Sequence, residues 1–93
     1  MPMITLEVQD RGKFIPLLNA AIQRQVAHVE IGIAKTRRRL EEFEQQYNCR
    51  LEEVENKVPT IDPLERVEWE GEFEMLRRLE AEEELLRTIR ICR

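Results

Sequence analysis

The sequence predicts an all-α protein: a long antiparallel helical hairpin with a short connecting helix, dimerising into a four-helix bundle, with a short β-strand or a disordered arm at its N-terminus. Three observations predict it. Apolar residues recur at steps of three and four along two long stretches, clear helix punctuation separates them, and the 93 residues are 42% apolar and 37% charged with only three glycines and four prolines. Such a composition is neither collagen-like nor that of a low-complexity disordered segment. The length fits one domain, over residues 1–93.

The first element is short. Ile4, Leu6 and Val8 alternate with Thr5 and Glu7, the period of a strand, within residues 1–9. A lone strand leaves its backbone unpaired, so this one must join a second protomer or a partner's sheet edge, or remain a frayed arm.

The first long helix is expected over 13–47. Val26, Ile33, Leu40 and Tyr47 take the a positions of a heptad, and Ile22, Val29, Thr36 and Phe43 take the d positions, which makes a coiled-coil seam. A second stripe of Leu17, Ala20, Ala27, Ile31 and Ala34 widens the apolar face, so the N-terminal half should touch more than one neighbour. Pro16 fits only a first turn and sets the start between Gly12 and Pro16. Asn48 suits a left-handed C-terminal cap.

A short helix is expected over 50–57, broken by Val58-Pro59-Thr60-Ile61. Asp62-Pro63-Leu64-Glu65 then reads as a helix start, with Asp as N-cap, Pro at the first helical position and Glu able to reach back. The second long helix is expected over 62–92. Val67 to Met75 alternates as a strand would, but the cap at Asp62, the glutamates and the spacing of Trp69, Phe73, Leu76, Leu79, Leu86 and Ile89 favour helix. Gly71 costs about 1 kcal/mol relative to Ala inside a helix, and suits close approach of another helix.

Two such helices cover each other's seams but leave Leu17, Ile31, Leu85 and Ile91 without cover in a monomer. At roughly 25 cal/mol per Å² of apolar surface, that forfeits several kcal/mol, comparable to a small domain's whole stability. A homodimeric four-helix bundle is the expected remedy.

Charge is segregated along the chain. Residues 11–40 are strongly basic and residues 41–84 strongly acidic within a net charge of −4. Opposite charges flanking an apolar seam fix register, so Arg37, Arg38 and Arg39 are expected to pair, within the chain or between subunits, with the following Glu41, Glu42 and Glu44 or with Glu80, Glu83 and Glu84 across the hairpin. Nucleic acid is then not the default partner of the arginine cluster. No apolar run nears the roughly 18 to 20 residues of a membrane span, and Met1-Pro2-Met3-Ile4-Thr5 lacks a signal peptide's basic and apolar regions, so a soluble cytoplasmic protein is expected. Cys49 and Cys92 stand apart from each other and from His28, which excludes a zinc ribbon or CxxC site and points to reduced thiols.

Catalytic chemistry finds little footing. Glu41/Glu44, Glu52/Glu55, Glu65/Glu68 and Glu80/Glu83 have the spacing by which all-helical, Mg²⁺-dependent nucleotide pyrophosphohydrolases hold metal, but in a chain so rich in glutamate such pairs arise by chance. A solvated helix face with ion pairs is the simpler reading. A di-iron bundle needs two Glu-x-x-His motifs, and the single histidine, His28, falls at an outer position of the heptad. The expectation is a non-enzymatic interaction module without cofactor, or alternatively a homodimeric coiled-coil scaffold.

From Lys35 to Leu86 a charged helix ends in Tyr47, Asn48-Cys49-Arg50-Leu51-Glu52-Glu53-Val54 follows, and after a short loop Glu68-Trp69-Glu70 opens the last helix. This arrangement resembles a family of small prokaryotic helical proteins regarded as antitoxins and encoded beside a small toxin-like partner. Their pattern reads Tyr-Gly-Met-Ser-x-Glu-Glu-Phe, followed by Glu-Trp and a Leu-rich helix. Here Asn48 stands for the turn glycine, Cys49 for the methionine and Val54 for the phenylalanine, while Arg50 departs from the serine cap. The resemblance implies a binding protein that masks a partner, with no catalytic residue to carry over. The alternating start also resembles ribbon-helix-helix DNA-binding antitoxins, but the first helix is too long for that fold.

Overall fold

The computed structural model describes Glu7 and residues 9–89. The strand or arm expected over 1–9 lies outside them apart from Glu7 and Gln9, as does Cys92. The described residues form a helical hairpin: α1 (Arg11–Tyr47), a 3-10 turn (Leu51–Glu53) leading into α2 (Val54–Lys57), and α3 (Pro63–Arg87). No strand occurs among them.

α1 begins at Arg11, earlier than the expected 13. Asp10 is the reason: its carboxylate accepts from the Lys13 N–H at 3.2 Å and caps the helix. Pro16 therefore lies inside the helix, beyond its first turn, where its missing N–H cannot bond the Gly12 carbonyl. At the other end Asn48 adopts φ 53° and ψ 40°, and the Cys49 N–H also returns to the Glu44 carbonyl at 3.3 Å. That left-handed residue stops the helix and turns the chain toward α3.

The expected helix over 50–57 divides into a 3-10 turn and a single α turn. Arginine has no acceptor with which to cap, so Glu53 supplies the local bond instead, accepting from the Arg50 N–H at 3.4 Å. α3 starts where Asp62 accepts from the Leu64 N–H at 2.8 Å, with Pro63 at the first helical position. It ends at Arg87, short of the expected 92. There the Thr88 hydroxyl and N–H both turn back to the Leu85 carbonyl, at 2.7 and 3.1 Å, and tighten the last turn. The alternating run Val67 to Met75 is helical throughout.

The two long helices pack antiparallel along the expected seam. Val29, Ile33, Thr36 and Leu40 of α1 are buried, and Trp69 of α3 is 1% exposed. The densest packing sits at the closed end, where Leu40, Cys49, Val54 and Trp69 meet Phe43, Tyr47, Leu51, Val58, Ile61 and Leu76. Trp69 stacks against both Phe43 and Tyr47, at centroid distances of 5.5 and 5.7 Å. Toward the open end Ile22 and Val26 face Leu86 and Ile89 across an open cleft and stay half-buried. The glycine at the helix contact is Gly32: a methyl there would come within 3.2 Å of Leu79 Cδ1. Gly71, expected to permit close approach, has open space where a Cβ would stand.

Candidate interaction surface

The seam residues fall into two groups by exposure. Val29, Ile33, Leu40 and Trp69 are buried, and Ile22, Val26, Phe43, Tyr47, Leu76, Leu79, Leu86 and Ile89 are half-buried. Phe73 is 41% exposed, at the edge of the seam rather than within it. It borders a shallow groove with Leu40, Leu51 and Leu76.

The charge pairs are only partly those the arginine cluster suggested. Arg37 reaches Glu80 at 3.3 Å across the hairpin. Arg39 instead bonds Glu72 at 2.7 Å, and that hydrogen bond raises the pKa of its guanidinium. Arg38 faces solvent without an ion pair among the described residues, Glu83 turns to Arg87 at 3.5 Å on its own helix, and Glu84 is exposed. A further link, Gln25 Nε2 to Glu82 at 2.9 Å, joins the two helices toward the open end. These bridges are solvent-exposed or nearly so, and they set register more than they hold the hairpin together.

The connector has its own electrostatics. Arg66 bonds Glu55 at 2.8 Å and Glu70 at 3.1 Å, tying α2 to the first turns of α3, and both bonds raise its pKa, Glu55 more strongly. Lys57 bonds Glu53 at 2.6 Å. That bond, and then the Arg50 N–H, hold the Glu53 carboxyl below its ordinary pKa, while Glu53 raises the Lys57 ammonium.

Between α1 and α3 lies an open cleft of about 600 Å³ lined by Arg39, Glu42, Phe43, Gln46, Glu65, Glu68, Gly71 and Glu72. Its charge is mainly negative, because Arg39 is already engaged by Glu72. Among the described residues no three His, Cys, Asp or Glu side chains gather as a metal ion would need. No described helix is long and apolar enough to cross a membrane.

Beside this cleft α3 carries a face the sequence pattern did not single out. Leu64, Val67 and Met75 are 74%, 64% and 47% exposed. With Gly71 they follow steps of three and four, so they share one side of the helix, turned away from α1's seam. The signal was present in the spacing, but the stronger stripe through Trp69 overlaid it. Apolar side chains exposed beside a charged rim leave water only when another apolar surface covers them.

No family model, curated protein or solved structure matches this chain.

Proposed function

We propose that this protein is a non-enzymatic protein-binding module, antitoxin-like in the sense that it masks a partner, and that it works as a homodimer in the cytoplasm. The observation that carries the reading is the exposed Leu64, Val67 and Met75 around the open Gly71, flanked by Glu65, Glu68 and the acidic cleft. Large aliphatic side chains held on a rigid helix cost solvation when left in water and gain it back on docking. The partner that fits is a small protein with an apolar patch rimmed by Arg or Lys. Charge attraction speeds the encounter, and apolar burial holds the complex. The resemblance to antitoxin-like proteins points to a small toxin-like protein encoded beside this one.

The test is co-expression with the product of the adjacent gene, followed by purification and mass measurement of any complex. A stoichiometric complex is expected, with Val67→Glu weakening it at least about tenfold, as loss of one central apolar contact does. Circular dichroism should show an unchanged helical hairpin, because Val67 does not contact α1's core. A native chain that forms no complex, or a complex indifferent to Val67→Glu and Leu64→Glu, would sink the proposal.

A further inference from the structure

α1 carries a second heptad on the side away from α3. Lys13, Ala20, Ala27, Ala34 and Glu41 stand at every seventh residue, and Leu17, Arg24, Ile31 and Arg38 fall between them, so that the steps alternate four and three without a break. The residues α3 buries, Val29, Ile33, Thr36 and Leu40, lie on the opposite face. Leu17 and Ile31 are 68% and 69% exposed, and Ala27 and Ala34 are exposed beside them. The charges on this face behave differently from those facing α3. Arg37 and Arg39 bridge to α3, whereas Lys13, Arg24, Arg38 and Glu41 make no ion pair among the described residues.

We propose that this face is where two copies of the chain meet, with their α1 helices antiparallel and the two-fold axis beside Ala27. The inference rests on the self-association in the functional reading above, and supplies its surface and geometry. Charge complementarity selects the occupant and its direction. In the antiparallel register centred on Ala27, Ala20 stands opposite Ala34 of the second copy, and Lys13 stands opposite its Glu41, with Glu42 adjacent. This ion pairing occurs twice, once at each end of the seam. A parallel pair would instead set Lys13 on Lys13, Arg24 on Arg24, Arg38 on Arg38 and Glu41 on Glu41, like charge against like. The alanines let the two backbones approach closely, while Leu17 and Ile31 fill the spaces beside them. From Lys13 to Glu41 the seam runs about 42 Å at ~1.5 Å per residue, four heptads, which is long enough for a stable helix pair. Both α3 helices remain on the outside of the assembly, and the Leu64, Val67 and Met75 face stays open to a different partner.

The experiment combines solution mass with disulfide mapping. Light scattering across a concentration series should give a dimer for the native chain, and a monomer with unchanged helix content for Ala27→Glu, which places two carboxylates against each other at the axis. Lys13→Glu should weaken the dimer, and Lys13→Glu combined with Glu41→Lys should restore it. When Ala20→Cys and Ala34→Cys chains are mixed and oxidised, peptide mapping should find the 20–34 link and no 20–20 or 34–34 link. A native chain that stays monomeric, a dimer indifferent to Ala27→Glu, or 20–20 and 34–34 links would each overturn the proposal. A monomer that still takes a partner through Val67 would leave the masking function standing, and a dimer blind to any partner would leave the α1 pairing standing.

Discussion

At the scale of single residues, Trp69 contributes the most to holding the hairpin. It is the only tryptophan, is almost fully buried, and lies flat against Phe43 on one turn of α1 and Tyr47 on the next. Removing it leaves a cavity in the cluster it forms with Leu40, Cys49 and Val54, against which Leu76 also packs. Trp69→Ala is therefore expected to cost about 3–5 kcal/mol, which approaches the whole stability of a small domain. Trp69→Phe keeps a stacked ring and should lower the urea midpoint while leaving unfolding cooperative. Urea denaturation followed by circular dichroism measures both, and a loss under about 1 kcal/mol for Trp69→Ala would contradict the stacked arrangement. Glycines make the complementary point. A methyl at Gly32 would press on Leu79 Cδ1 at 3.2 Å, so that side chain would have to give way, whereas a methyl at Gly71 would meet nothing within 4 Å among the described residues.

At the scale of elements, the connector is the segment whose geometry depends on charge. Glu53 joins the Arg50 N–H to the Lys57 ammonium and so clamps the 3-10 turn to α2. Its carboxyl is held below the ordinary range, so the stability it contributes is present above that range and is lost as pH falls through the depressed value. The raised Lys57 ammonium works in the other direction: its share is present below the ordinary lysine value and is lost as pH rises through the raised one. Glu53→Gln is expected to lower the melting temperature slightly near neutral pH, with the difference from the native chain shrinking in acid. Thermal unfolding over a pH series tests this, and a difference that grows on acidification would refute it. Much of the element order was legible in the sequence for equally local reasons. Asn48 and Asp62-Pro63 announce an end and a start because each acts on its own turn. α1 starts ahead of the point that Pro16 alone sets because Asp10 caps it there, and α3 ends before the apolar stripe of Leu86 and Ile89 does because Thr88 closes the last turn. Ion partners were legible only where register was, since whether Arg39 meets Glu72 or Glu80 depends on how far one helix slides along the other.

At the scale of the whole molecule, shape limits how much of the hairpin can be buried. The described residues extend 62 × 21 × 17 Å with a radius of gyration of 19.3 Å, against roughly 12 Å for a compact domain of this length. A rod of two helices encloses little volume, and the described core is confined to a thin seam and the cluster around Trp69. Stability must then be graded along the rod. The closed end has aromatic stacking, the connector's ion pairs and the caps at Asn48 and Asp62, whereas at the open end Ile22, Val26, Leu86 and Ile89 are only half-buried. Amide hydrogen exchange should follow this gradient, slowest for residues 36–44 and 66–76 and fastest for residues 11–22 and 84–89, because opening from the far end breaks few buried contacts. Pairing of α1 helices would change the pattern in a defined way. Protection over residues 13–41 should rise with protein concentration, while protection around Trp69 changes little, since that cluster is complete within one chain. Exchange measured by mass spectrometry at two concentrations, one above and one below the dimer's dissociation, reads both effects together. Uniform protection along the rod at both concentrations would mean that the hairpin is a single cooperative unit, and the gradient argued from its burial would be wrong.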